Sequence, residues 1–239
     1  MNIDFFENQK QDNKKLYIEL LQVTGSLSNL FAESDNPFLY YRAMENIFCK
    51  AFSAKNLSRS DVSADASKDG IGIGLKTFLH QNGRTYQKVA EFNRESYLLK
   101  GLSKSEIVQR VSEMRNERID TTKEICGLGD MMYHLITREK NAMNIYEEHM
   151  DYIDINNLRL LKTGGKTTIH FTDGINEYNF SQSKSTLLKR FDDEKLKFIQ
   201  RFNVNILKDP FDFLLKQKES LEGDLHHTVT NKFIDYIIL

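Results

Sequence analysis

The first half of the chain places carboxylates and one lysine at a spacing typical of two facing β-strands. Residues 60–67 alternate between polar and apolar, so Asp61 and Asp65 share one strand face. Residues 71–79 alternate in the same way, and Lys76 lies on a face otherwise carrying two glycines and a phenylalanine. If the two polar faces coincide, Asp65 and Lys76 project into one shallow site. Metal-dependent hydrolysis of a phosphodiester requires this arrangement of charges.

A turn between the two runs makes them a predicted β-hairpin. Asp69-Gly70 is a dipeptide that typically closes a two-residue hairpin loop. Gly72 and Gly74 weaken a strand, so we expect another backbone or a ligand to approach them closely. Asp61 and Asp65 face the same way, and we prefer Asp65 because Asp61 would need a longer hairpin pairing to reach the lysine.

This hairpin resembles the core of the PD-(D/E)xK nuclease superfamily, in particular the type II restriction endonucleases. In that family an Asp on one strand and an acid-x-Lys on the next surround a magnesium ion. The chain departs from the pattern at two places: no proline precedes Asp65, and Gly74 stands where an acid is expected two residues before Lys76. A hard cation needs more than one carboxylate here, so a second acid has to be found.

Two glutamates are candidates for that second acid. In some restriction enzymes of the superfamily it lies on the helix after the lysine strand, and Glu91 matches this position within a helix predicted over residues 84–100. Glu45, on the preceding helix, is the second choice. The resemblance implies that Asp65 and Glu91 hold Mg²⁺ and that Lys76 orients or helps to deprotonate the attacking water. For a lone Asp and Lys, the ordinary alternative is a solvated hairpin.

The whole chain favours one domain over residues 1–239. At 239 residues, with 40% hydrophobic residues, it can bury a substantial core. The resemblance implies an α+β fold with a mixed central sheet and flanking helices, a catalytic core over about 36–100 and a DNA-reading β region over about 158–190. The formal net charge of -1 gives no basic excess that would indicate nucleic acid.

Cysteine use and hydropathy predict a cytoplasmic protein without a membrane span. Cys49 and Cys126 lack the spacing of metal ligands, and we expect reduced thiols. The first residues lack the apolar core of a signal peptide, and no run has the length of a membrane span.

Apolar spacing and turn residues predict the remaining elements. Helices are expected over residues 14–31, from Asn36-Pro37 to 52, and over 104–125 behind a Ser103–Glu106 capping box, with strands or mixed structure over 131–152 and a β-meander over 158–180. The charged helix over 104–125 carries Arg110, Arg115 and Arg118, which touch phosphate only if the helix borders the cleft.

A polar run over residues 176–186 is the predicted DNA-reading surface. Asn and Gln can pair with adenine, Lys and Arg with guanine, and a two-stranded ribbon fits the major groove. The residues that we place in this surface are Asn176, Tyr178, Gln182, Lys184, Lys189 and Arg190. A polar loop leading into a helix capped by Ser183 or Ser185 is an equal alternative.

Three functions follow as hypotheses. The first is a Mg²⁺-dependent, type II site-specific deoxyribonuclease that cuts double-stranded DNA as a homodimer, alongside a cognate methyltransferase for the same site. The second is a non-catalytic DNA-binding module on the same fold, with Gly74 marking a lost active site. The third is a structural or partner-binding protein whose acids are merely solvated.

Overall fold

The structure is a computed structural model that describes residues 4–58, 62–163, 165 and 167–218. Within these residues the chain forms four α-helices and two β-sheets, which confirms the predicted α+β class. The helices are α1 (Gln11–Ser26), α2 (Tyr41–Phe52), α3 (Lys104–Cys126) and α4 (Pro210–Lys216). The strands are β1 (Lys55–Asn56), β2 (Ala66–Lys68), β3 (Ile71–Leu79), β4 (Arg84–Glu91), β5 (Asp130–Glu139), β6 (Ala142–His149), β7 (Arg159–Leu160), β8 (Thr168–Thr172), β9 (Glu177–Ser181), β10 (Thr186–Asp192) and β11 (Lys197–Asn203).

The large sheet has six strands in the order β1-β2-β3-β5-β6-β11. Its neighbours run antiparallel except β3 and β5, which are parallel and are joined by a connection containing α3. Parallel neighbours need such a long crossover. Because both faces of this sheet are covered, β5 is buried along most of its length and is rich in apolar residues.

The small sheet has five antiparallel strands in the order β4-β10-β9-β8-β7. The predicted meander over residues 158–180 is confirmed as β7, β8 and β9. The alternative of a helix beginning near Ser183 or Ser185 is wrong, because a short 3-10 helix (Gln182–Lys184) leads directly into β10.

Apolar side chains cover both faces of the large sheet. On one face, α1 and α2 pack Tyr17, Phe48 and Phe52 against Ile73 and Met132. The other face meets α3 and the small sheet through Tyr133, Leu135, Ile119 and Phe191. The face of α3 that carries Val108 and Val111 packs against the small sheet. The helix α3 is therefore fixed between the two sheets.

Three sequence expectations need correction at the level of elements. The helix predicted over residues 84–100 is wrong, since residues 84–91 form strand β4 and only Ser96–Leu99 makes a 3-10 turn. Of the strand predicted over residues 60–67, only Ala66 and Ser67 lie in a strand among the residues that are described, because β2 begins at Ala66. The second helix begins at Tyr41 rather than at Pro37, since the preceding residues are extended and the Phe38 N–H donates to Ser28 Oγ at 2.6 Å.

A polar chain is buried between α1 and the large sheet. The Tyr17 hydroxyl lies 3.0 Å from His134 Nε2, and His134 Nδ1 lies 3.2 Å from Glu147 Oε1. Burial, and then the nearby Glu147 carboxylate, raise the pKa of Tyr17. The Phe6 N–H donates to the same Glu147 oxygen at 3.0 Å, so this chain ties the first residues of the described structure to the sheet. Within the described residues, no helix has both the length and the apolar character needed to cross a bilayer.

Candidate active site

The hairpin brings Asp65 and Lys76 together as predicted. Lys76 Nζ lies 3.4 Å from Asp65 Oδ2, and the Leu75 N–H donates to the same oxygen at 2.7 Å. Asp65 precedes β2 yet keeps its pairing, since its N–H donates to the Ile73 carbonyl at 2.9 Å. Asp69 and Gly70 both have positive φ, which a type I′ turn requires. Both charged side chains are about a quarter exposed, so solvent reaches them.

Protein side chains, rather than a ligand, fill the space beside the two glycines of β3. A Cβ at Gly74 would lie 2.9 Å from Met150 Cε and 3.0 Å from Tyr133 Cδ1. A Cβ at Gly72 would lie 2.8 Å from a Leu128 methyl group. The expectation that another backbone or a ligand approaches these glycines is therefore wrong, since side chains occupy the space. An acid at position 74 would have to displace core side chains, which explains the departure from the family pattern.

Glu91 lies in the same cleft as Asp65 and Lys76, although it ends a strand rather than sitting on a helix. Its Oε2 accepts from Lys88 Nζ at 2.9 Å, and its Oε1 accepts from the Asn93 side-chain amide. The strand β4 is an edge of the small sheet, so this edge forms the wall of the cleft opposite the hairpin.

The cleft has a volume of about 380 Å³ and balanced charge. Its charged lining residues are the acids Asp65, Glu91, Glu95 and Glu117 and the bases Lys76, Lys88, Arg110 and Arg118. Each acid pairs with a base of the same cleft, at distances between 2.9 and 3.7 Å. A polyanion or a cation that enters must therefore compete with existing ion pairs.

The helix α3 supplies the floor of this cleft, and its start is the predicted one. Ser103 and Glu106 form the predicted capping box, with the Glu106 N–H donating to Ser103 Oγ. The hydrogen bonds with Ser103 lower the pKa of the Glu106 carboxyl. Two of the three arginines considered for phosphate contact, Arg110 and Arg118, line the cleft.

The third arginine of α3, Arg115, is buried beneath the cleft. Its Nη2 donates to the Tyr133 hydroxyl at 3.0 Å, and its Nη1 lies 3.4 Å from Ser63 Oγ. Arg115 therefore braces α3 against the large sheet and has no surface for phosphate.

Glu95 is the site residue that sequence reasoning missed. Arg118 Nη2 donates to its Oε1 at 3.1 Å, and the Arg118 guanidinium lies 4.8 Å from the centre of the Phe92 ring. Its Oε2 is buried and, within the described residues, accepts no hydrogen bond. Glu95 follows the strand by four residues in an irregular turn, so no periodicity indicates which way it faces.

Of the two alternative acids, Glu45 and Asp61, the structure describes only Glu45. Glu45 is buried on α2, where it accepts from Arg42 Nη1 at 2.9 Å, and it is not a lining residue of the cleft. Burial, and then the charges of Glu45 and Asp65, raise the pKa of Cys49 to about 11, so this thiol stays protonated. Asp61, the alternative to Asp65, lies outside the described residues.

Half of the predicted DNA-reading residues are in the interior. Asn176, Tyr178 and Lys189 are buried. Tyr178 and Lys189 are cross-strand neighbours on the inward face of the small sheet, where burial, more than the nearby Asp173, raises the pKa of the tyrosine. Lys189 Nζ lies 2.6 Å from Glu148 Oε2. These three buried side chains have no surface with which to contact DNA.

The other three residues of that set keep some exposure. Arg190 pairs with Glu177 at 2.5 Å, while Gln182 is half-buried and Lys184 is exposed beside the small sheet. The physical reason for the error is that a short polar run does not show which of its alternate residues face the core.

The donor chemistry of the cleft fits Mg²⁺, although a ready cage is lacking. Among the described residues, no three His, Cys, Asp or Glu side chains are close enough together to hold a metal ion. Mg²⁺ needs no such cage, because it keeps several waters and is bound by one or two carboxylates. Both side-chain contacts of Asp65 within the described residues use Oδ2, which leaves Oδ1 for a cation.

The comparisons with known proteins identify no relative. No protein-family model matches the chain, and no curated protein or solved structure gives a significant match.

Proposed function

We propose that this protein is a Mg²⁺-dependent endonuclease that hydrolyses phosphodiester bonds of double-stranded DNA, similar to the type II restriction enzymes. The observation that carries the proposal is that Asp65, Lys76 and Glu91 line one cleft, with the lysine 3.4 Å from the aspartate. The mixed large sheet with helices packed on both faces supports it, since the resemblance implies such a core.

Five charged side chains of the cleft have roles in this proposal that their chemistry permits. Asp65 would hold the Mg²⁺ ion together with a second acid of the cleft, a role that the resemblance assigns to Glu91. The ion would supply a water of lowered pKa and offset negative charge on the phosphate. Lys76 is a hydrogen-bond donor beside Asp65 and would orient the water for attack. Arg110 and Arg118 would bind the phosphate oxygens, because guanidinium groups offset charge that develops there.

The wider setting of the proposal comes from the resemblance. A homodimer would match a palindromic site by twofold symmetry. A methyltransferase with the same recognition sequence would protect host DNA in the cytoplasm. In this proposal the half-buried Gln182 and the exposed Lys184 remain candidates for reading DNA.

The test is incubation of the purified protein with unmethylated plasmid and phage DNA, with Mg²⁺ or with chelator. We expect discrete fragments that require Mg²⁺, and a rate lower by about 10²–10⁴-fold in Lys76→Ala. Lys140→Ala is the control, since Lys140 is exposed and pairs with Asp35 away from the cleft. Equal cleavage by Lys76→Ala and the control would mean that the chemistry lies elsewhere.

A non-catalytic DNA-binding module is the second candidate. The observation that favours it is the filled space at Gly74, because Met150 and Tyr133 occupy the place of the usual acid. This function predicts salt-sensitive DNA binding without cleavage in any metal. Absence of both binding and cleavage would instead favour a structural or partner-binding protein.

A further inference from the structure

We propose that Glu95, which the resemblance does not indicate, is the carboxylate that binds the divalent cation together with Asp65, in the role assigned above to Glu91. This inference rests on the proposed function and names the second acid of the same cleft. Both Glu95 and Asp65 are lining residues of the 380 Å³ cleft.

One carboxylate oxygen of Glu95, Oε2, is buried and, in the part of the chain that is described, has no hydrogen-bond partner. A buried carboxylate oxygen without a partner forfeits its hydration and gains nothing in exchange. A divalent cation in the cleft would supply the missing interaction.

Glu91 differs from Glu95 because both of its carboxylate oxygens already accept hydrogen bonds, from Lys88 Nζ and from the Asn93 amide. A cation that bound Glu91 would share an oxygen with one of these donors, whereas Glu95 offers an oxygen that has none.

Arg118 fixes the orientation of the Glu95 carboxylate. Arg118 donates to its Oε1 at 3.1 Å and lies over the Phe92 ring, which is fully buried. This contact fixes the carboxylate and can persist when Oε2 binds a cation, because the two oxygens have separate partners. Arg118 is therefore a positioning residue for Glu95.

The test is calorimetric titration of the protein with Mn²⁺, used as the probe, without DNA. We expect Glu95→Gln to weaken Mn²⁺ affinity by at least about tenfold, since even indirect supports of metal ligands cost 10–100-fold. The matched control is Glu117→Gln, which removes one negative charge from the same cleft. We expect this control to weaken affinity by less than threefold, and Glu91→Gln to weaken it less than Glu95→Gln does.

Two results would overturn the inference. One is equal affinity in Glu95→Gln and the Glu117→Gln control, and the other is a larger loss in Glu91→Gln. If the wild type cleaves DNA and binds Mn²⁺ but Glu95→Gln behaves as the control, only this inference fails. If the wild type neither cleaves nor binds Mn²⁺, the proposed function fails with it.

A second variant covers a failure of folding. Circular dichroism checks that Glu95→Gln keeps its helical signal and cooperative melting. If that variant does not fold, Glu95→Asp keeps the charge and shortens the side chain by one methylene. We expect Glu95→Asp to bind Mn²⁺ more weakly than wild type, and unchanged affinity would count against the inference.

Discussion

Gly74 occupies the position where the resemblance expects an acid, and its neighbours explain the glycine. Met150 and Tyr133 reach to 2.9 and 3.0 Å of the place where a Cβ would stand. The position is buried in the face of β3 that packs against these core side chains. At this residue, packing of the core leaves no room for a carboxylate, so a second acid of the cleft must come from outside the hairpin.

Restoring the family pattern with Gly74→Glu should therefore destabilise the protein rather than increase activity. The side chain would displace Met150 and Tyr133 and bury a charge, a combination that costs about 2–4 kcal/mol. Denaturant unfolding measures this loss, with Gly165→Glu as control because Gly165 is exposed and has no atom within 4 Å of an added Cβ. Similar stability of the two variants, or faster DNA cleavage by Gly74→Glu, would contradict the prediction.

Among the elements, α3 begins where the sequence predicts it to begin. Its first turn has the reciprocal capping box, in which the Ser103 N–H donates to the Glu106 carboxylate at 2.8 Å. Its length of 23 residues carries the cleft-lining Arg110 and Arg118 on one face. The cap is local, so the sequence alone determines it.

Removal of this cap by Ser103→Ala should lower the free energy of unfolding by about 1 kcal/mol, because one backbone N–H of the first turn loses its acceptor. The matched control is Ser105→Ala, an exposed serine of the same turn whose loss should change stability by less than about 0.5 kcal/mol. Thermal or denaturant unfolding provides the comparison. Equal effects would mean that the hydroxyl of Ser103 does not stabilise the helix.

The sequence does not predict strand β4 or its position in the small sheet. Its residues are mostly half-exposed, and its pairing with β10 shifts register between Leu187 and Leu188, so the period of two is blurred. Its partner strand lies about a hundred residues later in the chain, which no local pattern reveals. The hairpin of Asp65 and Lys76 was predictable because both strands and their turn are contiguous. The opposite wall of the cleft, with Glu91 and Glu95, depends on this long-range pairing.

In the whole molecule, a buried ion pair joins the two sheets. Lys189 on β10 lies 2.6 Å from Glu148 on β6, and its ammonium also lies 5.5 and 5.2 Å from the ring centres of Tyr133 and Phe191. Burial raises the pKa of Glu148, while the charge of Lys189 lowers it. The pair is thus one of the contacts that hold the small sheet, and with it β4, against the large sheet.

Breaking this pair with Lys189→Met should cost about 3 kcal/mol near neutral pH, because it leaves a buried carboxylate without its cation. Because the pKa of Glu148 is raised in the folded state, the folded state binds more protons than the unfolded state between the unfolded and the folded pKa of this carboxyl. The contribution of Glu148 to stability therefore falls as pH rises from its unfolded pKa to its folded pKa. Without Lys189 the folded pKa is higher still, so this pH range extends further upward. The loss relative to wild type should therefore be larger at pH 8 than at pH 5 in denaturant unfolding.

Two comparisons sharpen this experiment on the sheet interface. Lys15→Met removes an exposed partner of Glu19 and should cost less than about 0.5 kcal/mol at either pH. The double variant Lys189→Met/Glu148→Gln should recover more than half of the loss, because it removes the buried charge together with its partner. A loss that is independent of pH and persists in the double variant would mean that Lys189 stabilises the interface by packing on Tyr133 and Phe191 rather than by its charge.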